Sequence, residues 1–186
     1  MVNLLKIINR ENLKKLFILM LLLGIYIFIS AYSYVNAVSN ELENNLFRLH
    51  VIANSDSEED QKLKYLVRDS LISYMNSISE PCLNKEEVIV LAQNHLDDFS
   101  NIAKETIINN GYNYDVQIEI GNFNFPTKTY GDISLPAGYY DALRVKIGNA
   151  SGQNWWCVMF PPLCFVDITS GIVPDDSKKL LRRKLI

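Results

Sequence analysis

The alternation of apolar and polar positions divides the chain into three regimes. The first is an apolar block. From Leu16 to Val35 there is no charged residue, and the polar side chains there (Tyr26, Ser30, Tyr32, Ser33, Tyr34) are mild and gather towards its end. About 20 such residues cross a bilayer as a helix, and this run just reaches that length. Lys6, Arg10, Lys14 and Lys15 stand in front of it, which sets an N-in, C-out orientation. Two readings stand side by side. The run is long for a signal peptide, which points to an uncleaved signal anchor. Val35-Asn36-Ala37 also fits the small-x-small pattern of a cleavage site, with the cut after Ala37. In both, the rest of the chain lies outside the cytoplasm.

The second regime is helical. Ser39 to Asn45 is polar and reads as a spacer. Phe47, Leu49 and Val51 alternate with Arg48 and His50, which predicts a strand over Leu46–Ala53. Asn54-Ser55-Asp56-Ser57 supplies turn and cap residues, and Glu58, Glu59 and Asp60 fill a first helical turn, where acids suit the helix dipole. Leu63, Leu66, Val67, Leu71, Tyr74, Met75 and Ile78 then recur at three- and four-residue steps, an amphipathic helix that Pro81 stops. A second helix is predicted from the cap Asn84, with a stripe from Val88 through His95 and Phe99 to Ile107, ending at Asn109-Asn110-Gly111.

The third regime has period two. Tyr114, Val116, Ile118 and Ile120 alternate with Asp115, Gln117 and Glu119, and Gly121-Asn122 is expected to break that strand. A loop through Pro126–Asp132 leads to the short apolar segment Ile133–Leu135. A strand over Tyr139–Ile147 follows, then Asn154–Phe160, the step Pro161-Pro162, and Leu163–Asp167. Helices followed by strands argue an α+β fold with an antiparallel sheet of about four to five strands. The expected divisions are 1–37 as signal peptide or anchor, 38–45 as spacer, 46–170 as exported α+β domain, and 171–186 as a basic tail.

Charge narrows the partners. From Val38 to Ser177 there are nine Lys and Arg against twenty Asp and Glu, a net of −11. Such a domain repels phosphate backbones, which excludes nucleic acid as a partner. The basic tail (Lys178, Lys179, Arg182, Arg183, Lys184) reads as a solvated terminus. The three cysteines allow at most one bridge. If Pro161-Pro162 turns a hairpin, Cys157 and Cys164 share a face diagonally; a disulfide is then possible but not favoured over buried thiols. Cys82 reads as filler.

Catalytic constellations find little support. There are only two His. His50 beside Asp56, Glu58, Glu59 and Asp60 lacks zinc spacing, and helix capping already accounts for the acids. Cys157 and Cys164 lie in an apolar strand, where a thiol is poorly activated. No phosphate-cradling glycine loop and no serine elbow occurs. No metal, cofactor or small-molecule substrate is expected. Recognition is better served. Trp155 and Trp156 are adjacent, so a strand turns them to opposite faces, and Trp, Met and Phe are interface residues.

Four blocks carry a resemblance. Arg48–Ser57 with Asp60-Gln61 and Val67-Arg68-Asp69, then Phe125–Gly131, Leu135–Val145 and Asn154–Asp167 resemble, in order, the signatures of the stage II sporulation protein R family. The resemblance implies a signalling protein that is not an enzyme. It would be made in the forespore of an endospore-forming bacterium and exported to the space between forespore and mother cell. There it would trigger a mother-cell membrane-embedded aspartic protease that processes a sigma-factor precursor. An uncleaved N-terminal helix would add the membrane as a partner. The candidate receptor-binding residues are Trp155, Trp156, the Lys128-Thr129-Tyr130 loop, and Arg48, His50 and Asp56 at the strand–helix junction. The rival readings are an exported hydrolase of cell wall or peptide centred on His50 and a carboxylate, and a structural membrane-tethered module.

Overall fold

A computed structural model describes residues 10–79, 82–130 and 133–161. The chain divides into two units after Asn40. In the first, the apolar block forms most of α1, Arg10–Asn45. Along it Leu16, Phe17, Leu19, Phe28 and Val35 are all exposed. The helix is long and apolar enough to cross a membrane, compatible with a signal peptide or an anchor.

The second unit opens on the last turn of α1, and the expected polar spacer, 38–45, is helical throughout as part of α1. Leu42 and Leu46 are buried. Then come β1 (Phe47–Ile52), α2 (Glu58–Ser79), α3 (Lys85–Asn94), α4 (Leu96–Asn109), β2 (Val116–Phe125), β3 (Lys128–Tyr130), β4 (Ile133–Leu135), β5 (Gly138–Ile147) and β6 (Asn154–Phe160). The fold is α+β. The four long strands form one sheet in the order β2-β5-β1-β6, and β3 and β4 form a small hairpin.

The loop expected over Pro126–Asp132 contains the strand β3, because Lys128–Tyr130 pairs with Ile133–Leu135; three further features differ from the pattern-based expectation. The sheet is mixed, because β1 pairs in parallel with β5 while β6 and β2 run antiparallel to their neighbours. A parallel pair needs a long crossover, and here α2–α4 and β2–β4 supply it. The predicted second helix is two helices, broken at His95 (φ −109°, ψ 20°). A one-residue interruption leaves the apolar stripe in phase, so periodicity does not reveal it. Finally, β2 runs through Gly121-Asn122 without breaking. A Cβ at Gly121 would sit 3.0 Å from the Phe123 ring, so the missing side chain leaves the space that this ring occupies within the strand. Leu163–Asp167 and the basic tail lie outside the described residues.

The helices cover one sheet face. Phe47, Leu49 and Val51 of β1, Leu143, Val145 and Ile147 of β5, and Cys157 and Met159 of β6 meet Leu63, Val67, Leu71 and Met75 of α2 and Phe99, Ala103 and Ile107 of α4. At about 25 cal/mol per Å2 of apolar area, each fully buried Leu or Phe contributes roughly 1.5–3 kcal/mol. The other face has a smaller core of Leu42, Leu46, Phe125, Leu135, Tyr140, Ala142 and Val158, with Trp156 and Tyr130 packed against it. β1 is therefore an inner strand covered on both sides, so its alternate residues Arg48 and His50 are buried as well.

Candidate functional site

The β1–α2 junction fixes the frame. Buried Asp60 accepts from Asn54 Nδ2 at 2.8 Å and from Ser55 Oγ at 2.5 Å, and its own N–H donates to Ser57 Oγ. Burial pushes the Asp60 carboxyl up, but these donors and Tyr114 outweigh it and leave it below its ordinary value. Asn54 Oδ1 accepts from the Asn149 N–H, and the Asn54 carbonyl accepts from Ser151. A Cβ at Gly152 would lie 2.1 Å from the Ser55 carbonyl oxygen, so only glycine allows this approach. The Asn-Ser-Asp-Ser run thus ties the start of α2 to the loop leading into β6. Asp56 is exposed on this turn.

Register then assembles a polar row on the sheet face away from the helices. Glu119 lies opposite Arg144, Arg144 opposite His50, and His50 opposite Trp156. Arg144 donates twice to Glu119 Oε1, at 2.9 and 2.7 Å, and Lys146 reaches the same oxygen at 2.9 Å. Lys146 and Arg144 hold the Glu119 carboxyl below its ordinary value. The His50 ring stacks on Trp156, centroids 3.7 Å apart, and its Nε2–H donates to Asn154 Oδ1 at 2.7 Å. Burial lowers the His50 pKa to about 4; the Asn154 bond opposes that, and Arg144, Lys146 and Arg48 reinforce it. The imidazole is therefore neutral at pH 7.

Arg48, one row along, is fully buried. Its guanidinium lies 4.1 Å from the centroid of Phe125 and 4.7 Å from that of Tyr140. Nη2 donates to Tyr130 Oη at 2.8 Å, and Tyr130 Oη donates to the Trp156 carbonyl at 3.0 Å. Tyr130 is on β3, so one hydroxyl joins the hairpin to both β1 and β6. Arg48 Nε and Nη1 and His50 Nδ1 have no hydrogen-bond partner among the described residues. Burial pulls Arg48 below its ordinary value, opposed by Tyr130 and Tyr140, though a guanidinium stays charged.

Four of the expected residues, Arg48, His50, Tyr130 and Trp156, therefore converge. Lys128 and Thr129 lie on the hairpin strand, with Thr129 exposed. Trp155 is on the opposite face, edge-on to Tyr65 and 4.4 Å under the Arg68 guanidinium. Cys157 is disulfide-bonded, not the buried free thiol expected. Its diagonal offset argued against a bridge only for an ideal hairpin, and Cys164, the expected partner, lies outside the described residues. Cys82 is a free thiol. Sequence reasoning missed Phe125, Tyr140, Arg144, Lys146 and Glu119. Their parity on each strand was readable, but not which strands lie side by side.

Comparison with known proteins gives these residues a context. The family model of stage II sporulation protein R matches residues 43–170. The chain belongs to the stage II sporulation protein R family. It is 38% identical over 130 residues to the Stage II sporulation protein R of Bacillus subtilis (strain 168), a match that covers 70% of this chain and 58% of that relative's length. No solved structure matches the chain. The stage II sporulation protein R match takes in the whole folded unit from the last turn of α1 through β6, and so every residue of the polar row.

Proposed function

We propose that this chain is an exported sporulation signal that activates a membrane-embedded aspartic protease of the mother cell, leading to processing of the mother-cell sigma-factor precursor. Export would be from the forespore into the intermembrane space, either as a released domain or tethered by α1. One observation carries the reading as ligand rather than enzyme. The buried polar residues of β1 do not form a catalytic pair: Arg48 lies against the Phe125 ring, and His50 stacks on Trp156 and bonds an amide. The charges acting on His50 are Arg144, Lys146 and Arg48, and among the described residues no carboxylate orients it as a general base. Family membership supports the same reading.

Activation then works by differential binding. A ligand shifts the protease only by binding its active state more tightly; tenfold activation needs about 1.4 kcal/mol, which one or two aromatic anchors supply. Trp156 and the Lys128–Tyr130 strand form the principal surface, with buried Arg48 and His50 behind it, and Trp155 and Asp56 belong to the tested set. Each is changed to Ala in sporulating cells, and sigma-factor processing is followed, with export and folding of each variant verified. Trp156→Ala is expected to reduce processing at least tenfold. Normal processing by a full set of folded, exported variants overturns the assignment.

A further inference from the structure

Buried charges are ordinarily paired, and an unpaired one costs several kcal/mol. Arg48 departs from that rule. It is fully buried, and its hydrogen-bond acceptor among the described residues is a neutral phenol, Tyr130. Nε and Nη1 have no partner there. Phe125 and Tyr140 supply aromatic surface to the cation, which compensates only in part. The nearby Lys85, by contrast, meets Asp141 at 2.8 Å, and Arg144 meets Glu119. Lys85 of α3 and Arg144 of β5 thus have carboxylates, and Arg48 has none among the described residues.

We propose that Arg48 is a latent carboxylate receptor: an acidic peptide segment of a partner protein enters beneath the β3–β4 hairpin and takes the N–H groups that Tyr130 leaves unmet. The inference rests on the reading of this face as the signalling surface and names the chemistry it recognises. A forked carboxylate needs two adjacent N–H groups, Nε with Nη2 or Nη1 with Nη2; each unmet group of Arg48 borders Nη2, so release of Nη2 by Tyr130 completes the fork. The local charge favours it too. Among the described residues Arg48, Arg144 and Lys146 lie on this face with Glu119, while Glu43 acts on the neighbouring Tyr140, so cations still outnumber acids here in a domain whose net charge is −11. An acidic segment is repelled elsewhere and held here. His50 Nδ1, also unpartnered, is an acceptor when Nε2–H donates to Asn154, so it receives a backbone N–H of the same segment. Tyr130 acts as the latch, because its hydroxyl both occupies Arg48 and fastens the hairpin to the Trp156 carbonyl.

The test uses the full chain in detergent micelles, 15N-labelled, with the arginine Nε–H resonances followed by NMR. The probes are acetyl-Gly-Glu-Gly-amide, which carries a side-chain carboxylate, acetyl-Gly-Gly-Gly with a free C-terminal carboxylate, and acetyl-Gly-Gln-Gly-amide as the neutral control. A saturable shift of the Arg48 resonance with a carboxylate probe and not with the control is expected. The probe that binds more tightly identifies the source. Tyr130→Phe removes the competing hydroxyl and keeps the ring, so it is expected to tighten binding about fivefold, the worth of one hydrogen bond of about 1 kcal/mol. Arg48→Met is expected to abolish the effect, and the Tyr130→Phe arm decides the matter if that variant does not fold. An Arg48 resonance unmoved by either carboxylate in both the parent and Tyr130→Phe, or moved equally by the glutamine control, overturns the proposal. No protease is present, so a negative titration alongside impaired processing by Trp156→Ala rejects the carboxylate and leaves the signalling role standing.

Discussion

The two faces of β6 carry adjacent tryptophans in opposite settings. Trp155 turns towards the helices, where Tyr65 and Arg68 of α2 enclose it at the margin of a large apolar core. Trp156 turns away, onto a neutral His50 and beside a buried Arg48. On the first face most of the buried groups are apolar, although Trp155 Nε1 and Arg68 Nη1 also lack a hydrogen-bond partner among the described residues. On the second, burial has been extended to a cation and an imidazole whose remaining N–H and N groups are unmet among the described residues. The same sheet thus has one mainly apolar face and one that buries a cation with no carboxylate among the described residues, the face proposed above for recognition.

The contrast can be broken by measurement. On the helix face, Phe99→Ala removes a fully buried ring and is expected to cost about 3–5 kcal/mol, read by denaturant unfolding of the full chain in detergent. A loss below 1 kcal/mol would mean that this face is not the stabilising one. On the face proposed for recognition, pH is the probe. The folded pKa of His50, about 4, lies below its ordinary 6.5, so the unfolded chain takes up the proton first. The contribution is fully present above about pH 6.5 and is lost as pH falls from there through 4, by about 3 kcal/mol at most. His50→Gln should flatten that part of the stability–pH curve; an unchanged slope would show that His50 is not buried neutral.

Asp60 sharpens the comparison from the frame that both faces share. Asp60→Asn replaces a buried acceptor by an amide among donors and is expected to cost about 1–3 kcal/mol. Its folded carboxyl lies below its ordinary value. Its contribution is therefore present above about pH 4 and lost as pH falls further, a window below that of His50. Acid unfolding of the variant and the parent separates the two. The smallest effect is expected at Arg48. Arg48→Met keeps the volume and removes an uncompensated buried charge, so stability is expected to change by less than about 1 kcal/mol, or to rise, while sigma-factor processing falls. A loss as large as that of Phe99→Ala would make Arg48 part of the structural core.

Much of this was legible along the chain. The apolar span, the caps at Asn54–Asp60 and Asn84, and the period-two strands follow from local chemistry, as does the turning of Trp155 and Trp156 to opposite faces. The four blocks of resemblance also point to the family that the comparisons show. The break at His95 was not legible, because Tyr74 and Asp98 hold the imidazole by contacts 21 residues and 3 residues away. The passage of β2 through Gly121 was hidden for a similar reason, since a glycine reads as a breaker until the Phe123 ring is seen beside it.

By itself the sequence determined most of the helices, the long strands and the apolar span, because those depend on neighbours within a few residues. It also placed Arg48 and His50 on the same side of one strand. Only the tertiary structure decided that this strand is central, that Phe125 and Tyr140 flank the Arg48 guanidinium, and that Tyr130 caps it from 82 residues away. Strand adjacency is set by the packing of whole layers. The charge state, solvation and unmet donors of a side chain are properties of what surrounds it, and no local pattern carries them.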